Sequence, residues 1–151
     1  MPICSLEDLP AGALIALDPG TKTIGVASCG ASRGLATPVE TIKRTKFTAD
    51  AERVFQLMDE RQAVGLIMGL PVNMDGSEGP RAQASRAYAR NLAETFALPV
   101  LLWDERWSTS SAEAAMIRQD MSRAKRAERI DSHAAAIILQ GAIDALAGGG
   151  L

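Results

Sequence analysis

A chain of 151 residues with 47% apolar and 23% charged residues has the length of one soluble globular domain and can bury a real core. A net charge of −2 and a pI near 5.4 argue against a protein that works by global attraction to nucleic acid, while leaving room for a local basic face or an ion-screened site. The two cysteines, Cys4 and Cys29, match no zinc or redox spacing and read as free thiols, and no basic leader or long apolar segment predicts a signal peptide or membrane span.

Residues 1–12 read as a polar lead-in. The first strand, about 13–18, is an apolar run ending in Asp18. A carboxylate where a buried strand leaves the core is costly unless something pairs with it. The Pro19-Gly20 turn joins it to an antiparallel second strand, about 22–29, whose Gly25 and Gly30 suggest a bulge or close approach. A third strand, about 34–42, contains Pro38 and belongs at an edge.

Helix A, about 48–61, carries Ala51, Val54, Phe55 and Met58 at helical spacing, with Thr48 as its cap. A buried strand over 63–69 leads to Leu70-Pro71 and a polar loop, Asn73 to Gly79. Pro80 suits the first position of helix B, about 80–97, with Tyr88, Leu92 and Phe96 on one face. Strand five, Pro99 to Trp103, runs into Asp104-Glu105-Arg106. Helix C follows a cap at Ser108, Thr109 or Ser110 and carries Ala112, Ala115 and Met116. The basic stretch 122–129 shows no apolar period and reads as a charged loop. A last helix covers about Ile130 to Ala147, and the Gly148–Gly150 tail should fray.

This order predicts an α/β fold: a five-stranded mixed sheet, three strands antiparallel and then two parallel to the first, flanked by helices. Sites in such sheets lie beyond the carboxyl ends of the strands. Asp18, Pro71 to Asn73 and Asp104-Glu105-Arg106 all fall there. Asp131 joins them, because Ala135 and Ile138, four and seven residues on, define an inward helix face. Gathered carboxylates repel, and Mg²⁺ or Mn²⁺ relieves that with oxygen ligation; paired ions hydrolyse phosphodiesters. Taken singly, Asp131 could cap a helix, Glu105 and Arg106 could form a surface pair, and Asp18-Pro19-Gly20 could be only a turn. Their joint placement favours a metal site, with Glu105 or Asp104 as the second carboxylate.

Lys22, Arg81 and Arg106 are candidate phosphate contacts at that edge, as is the loop ahead of helix B. Arg123, Lys125, Arg126 and Arg129 offer a weaker basic patch. His133, the only histidine, has no nucleophile elbow to serve and no zinc partners.

Leu17-Asp18-Pro19-Gly20-Thr21-Lys22-Thr23-Ile24-Gly25-Val26-Ala27, Met68 through Arg81, Asp104-Glu105-Arg106-Trp107-Ser108-Thr109 and Ile130-Asp131-Ser132-His133-Ala134-Ala135 together resemble the YqgF (RuvX) family. These motifs span nearly the whole chain. Trp107 stands where a leucine is usual, and Ala127-Glu128-Arg129 replaces a glycine-containing approach to the final aspartate.

The resemblance implies one RNase H-like nuclease domain over 1–151, a cytoplasmic location, and trimming of the 5′ end of pre-16S rRNA. It maps catalytic and metal-binding roles onto Asp18, Glu105 (Asp104 as alternate) and Asp131; the expected substrate contacts, from their place at that edge, are Gly20, Thr21, Lys22, Asn73, Arg81 and Arg106. A Holliday junction resolvase is the nearest alternative and would call for a C₂ homodimer. A non-catalytic nucleic-acid-binding or transcription-associated module is another. An actin-like sugar kinase shares the Asp-x-Gly-Thr start but needs a second domain of comparable size.

Overall fold

The structure, a computed structural model, describes residues 3–4, 8–20, 22–73, 75–104 and 123–147, with 3–4 and 123–131 described as backbone alone. In chain order the elements are β1 (Ile3–Cys4), β2 (Ala13–Pro19), β3 (Thr23–Cys29), β4 (Thr37–Lys43), α1 (Phe47–Glu60), β5 (Ala63–Leu70), α2 (Pro80–Phe96), β6 (Val100–Asp104) and α3 (Arg123–Ala147). The sheet order is β1-β6-β5-β2-β3-β4. The expected mixed sheet is there: β2, β3 and β4 run antiparallel, and β5 and β6 lie parallel to β2. The lead-in adds a short outer strand, since β1 pairs parallel with β6. Two residues carry too little apolar pattern to be read as a strand.

The sheet is buried on both faces, as the unbroken apolar runs of β2 and β5 require. Ile15, Leu17, Val26, Met68 and Val100 face α1 and α2, where Val54, Leu57, Leu92 and Ala93 close one core. Leu14, Ala16, Ala27, Ile67, Leu101 and Trp103 face α3, where Ala135, Ile138, Leu139 and Ala142 close the other. At Gly141 the approach is so close that a Cβ would stand 3.2 Å from the Trp103 ring.

Several expectations change. The stretch 123–129 is helix, because alanine, lysine, arginine and glutamate are strong helix formers and need no apolar stripe to extend a packed helix. Asp131 is therefore well inside α3 and is not its cap. Thr48 lies within α1, whose N-cap position, Lys46, makes no side-chain cap bond. Instead the buried Asp50 carboxylate accepts from the Thr45 N–H at 3.2 Å and from its hydroxyl at 3.3 Å. Phe55 is 48% exposed and stacks on Phe96, while Leu57 takes the inward place. The bulge lies between Val26 and Ala27, next to Gly25, and Gly30 sits in open space. Pro38 is on the edge strand β4. Helix C and the glycine tail lie outside the described residues.

Candidate active site

Register aligns the carboxyl ends of the parallel strands. Leu17 pairs with Met68, Met68 with Leu102, and Leu70 with Asp104. Asp18 and Asp104 therefore close their strands at one end of the sheet, two strand positions apart. Side chains alternate along a strand, so the two carboxylates separate by face. Asp18 continues the row of Leu14 and Ala16 toward α3. Asp104 continues the row of Val100 and Leu102 toward α2 and is 6% exposed. Its charge is felt by Glu78, in the loop ahead of α2. The Arg86 guanidinium, bound bidentately at 2.5 and 2.7 Å, holds the Glu78 carboxyl below its ordinary value, and Asp104 opposes that shift.

On the α3 side, position 131 is one turn before Ala135 and two before Ile138, both buried. The helix thus brings residue 131 onto the face that Asp18 shares. Glu105, Arg106 and Thr21 lie outside the described residues, as does the side chain of Asp131. Among the described residues, no three histidine, cysteine, aspartate or glutamate side chains cluster to hold a metal. The donor set Asp18, Glu105 and Asp131 is all carboxylate oxygen, which matches a hard divalent cation and no soft one.

The turn after Asp18 is tight. The Gly20 N–H donates to the Thr23 carbonyl at 2.7 Å, and a Cβ on Gly20 would come within 3.2 Å of that oxygen. Lys22 is exposed, and its carbonyl accepts the Arg44 N–H at 2.9 Å. Asn73 is exposed but committed within its loop: its Nδ2 donates to Ser77 Oγ at 3.0 Å, and Ser77 donates in turn to Asp75. Arg81 is exposed in the first turn of α2, whose N-cap residue, Gly79, supplies no side-chain bond. Arg44, Ser85 and Tyr88 were not among the residues singled out by motif, yet they line a pocket with Arg81 beside the Pro19-Gly20 turn. Helical spacing of Arg81, Ser85 and Tyr88 was the available signal; Arg44 reaches them only through the sheet.

A mixed sheet of this order, layered between helices with carboxylates at the ends of its parallel strands, defines the RNase H-like nuclease class. Thermus thermophilus RuvC in complex with a Holliday junction has this fold, at a TM-score of 0.58 and 16% identity over 91% of this chain and 96% of that one. So does the yeast mitochondrial Holliday junction resolvase Ydc2, with a TM-score of 0.51 and 12% identity over 94% of this chain and 82% of that one. The profile of the family described as "RuvX: Holliday junction resolvase" matches residues 12–145, and the chain belongs to that family. A Novosphingobium aromaticivorans relative named "Putative pre-16S rRNA nuclease" is 65% identical, over 91% of this chain and 88% of its own length. A Rhodopseudomonas palustris protein of the same name is 63% identical, over 91% of this chain and 85% of its own.

Proposed function

We propose that the chain is a Mg²⁺- or Mn²⁺-dependent nuclease that processes the 5′ end of pre-16S rRNA, acting in the cytoplasm as one catalytic domain over residues 1–151. The observation that supports this is Asp18 at the carboxyl end of β2, in register with the carboxyl ends of β5 and β6. The rRNA substrate is supported by the names of relatives 60–65% identical to the chain. Among the described residues no helix is long and apolar enough to cross a membrane.

Asp18, Glu105 and Asp131 are the proposed metal ligands and catalytic groups. Strand parity favours Glu105 by setting Asp104 aside: Asp104 turns toward α2, away from the α3 side to which Asp18 turns. When bound, a divalent ion polarises the phosphodiester and lowers the pKa of water. The carboxylates fix where that happens and balance the charge. Lys22, Arg81 and Arg106 neutralise the substrate backbone, while Gly20, Thr21 and Asn73 let it approach the turn and the loop ahead of α2. Junction resolution is a second reading, favoured by the likeness to resolvase folds; it needs two sites, which a C₂ homodimer supplies.

Purified wild type and Asp18→Asn are incubated with precursor 16S rRNA and with a four-way DNA junction, with and without Mn²⁺. Wild type is expected to cut the RNA only with the ion. Asp18→Asn is expected to lose about 10³-fold in rate, roughly 4 kcal/mol of transition-state stabilisation, while melting as a folded protein. Wild-type rates in Asp18→Asn would overturn the metal-site reading, and cleavage of the junction alone would select resolution.

A further inference from the structure

Two arginines that no motif links meet on the α2 side of the sheet end. With Pro19, Gly20, Ser85 and Tyr88 they line a pocket of about 100 Å³. Arg44 is held there from two sides: its Nη1 donates to the Gly20 carbonyl, and its guanidinium carbon stands 5.2 Å from the Tyr88 ring centroid. Tyr88 is itself braced edge-on by Phe47, with centroids 5.3 Å apart. Among the described residues neither Arg44 nor Arg81 forms an ion pair with a carboxylate. The other guanidiniums nearby behave differently, since Arg53 and Arg86 are each forked onto a glutamate.

Tyr88 supplies an independent sign. It is 9% exposed, and its hydroxyl has no hydrogen-bond partner among the described residues. A buried hydroxyl without a partner costs free energy and is rare in native proteins. The hydroxyl is sealed in the fold, while the ring lines the pocket and carries the Arg44 guanidinium on its face. Buried Ser85 adds a second hydroxyl on the same helix face. Planar guanidinium donors match phosphate oxygens in charge and geometry. The pocket is open to one side and admits a tetrahedral phosphate between the two guanidiniums.

We propose that this pocket binds a phosphate group of the nucleic-acid substrate other than the one cut, gripped by Arg44 and Arg81, with the Tyr88 ring holding the Arg44 guanidinium in place. The assignment rests on the nuclease reading. It adds a distinct subsite, because Asp18 belongs to the α3 side of the sheet while the pocket lies on the α2 side, across the Pro19-Gly20 turn. A strand crossing the sheet end meets both.

The test is binding of one structured RNA, carrying either a 5′-phosphate or a 5′-hydroxyl, in EDTA over a salt series. Arg44→Gln and Arg81→Gln should each weaken binding about tenfold and flatten the slope of log K against log salt by about one. Tyr88→Leu, which removes the ring under Arg44, should weaken it about threefold, while Tyr88→Phe should bind as wild type does. Equal losses on both RNAs assign an internal phosphate; losses confined to the 5′-phosphorylated RNA assign the terminal one. Wild-type affinity and slope in both arginine variants would overturn the subsite alone. A wild-type protein that binds neither RNA, in EDTA or with Mg²⁺ restored, would overturn the nuclease reading, and the subsite with it.

Discussion

Asp18 and Asp104 each end a buried strand, and from their positions in the chain they look equivalent. Alternation along the strands gives them different neighbours. Asp18 points with Leu14 and Ala16 toward α3, and Asp104 with Val100 and Leu102 toward α2. Glu105→Gln is therefore expected to lose about 10³-fold in single-turnover cleavage, and Asp104→Asn less than tenfold. Asp104→Asn should instead lower stability by about 1–3 kcal/mol, read by denaturant titration, because its buried carboxylate loses its interactions. Equal catalytic losses would defeat the parity argument. Asp18 was legible because a charge closing an apolar run demands an explanation. Arg44 was not, since an exposed arginine after an edge strand looks like any solvated charge until the sheet brings it over Tyr88.

Elements were legible where an apolar period was strong. The runs of β2, β5 and β6 and the spans of α1 and α2 were placed to within about one residue at each end. The start of α3 was missed because propensity and tertiary packing, not period, carry helix through Arg123 to Arg129. The entry to β2 was equally silent. Gly12 has φ of +138°, and a Cβ there would stand 2.9 Å from Val64 Cγ1. Gly12→Ala should cost about 1–3 kcal/mol, seen as a lower denaturant midpoint at unchanged m-value. Two forked ion pairs tie elements together, Arg53–Glu40 between α1 and β4 and Arg86–Glu78 between α2 and its preceding loop. Hydrogen bonding to arginine depresses both glutamates. Their contribution is present above the ordinary glutamate pKa of about 4.3 and is lost as pH falls through the depressed values. The melting temperature should drop on acidification below about pH 4, and Glu40→Gln with Glu78→Gln should make that drop shallower.

At the scale of the whole molecule, α3 packs Ala135, Ile138, Leu139 and Ala142 on the side of the sheet to which Asp18 turns. If Asp18 and its partners hold an ion, Mg²⁺ or Mn²⁺ must stabilise the folded chain. At a hundredfold excess over Kd the gain is about 2.7 kcal/mol. A thermal shift should appear on adding Mn²⁺, reverse with EDTA and be reduced in Asp18→Asn; no shift in wild type would argue against a bound ion. The sequence by itself determined the α/β class, the strand that ends in Asp18, and the family, because apolar period and motif spacing are local and survive without coordinates. Only the tertiary structure decided that Asp18 and Asp104 turn to opposite faces of the sheet, and that Arg44 meets Arg81 beside the turn. Those relations depend on sheet register and helix docking, which join residues far apart in the chain through packing that no local pattern records.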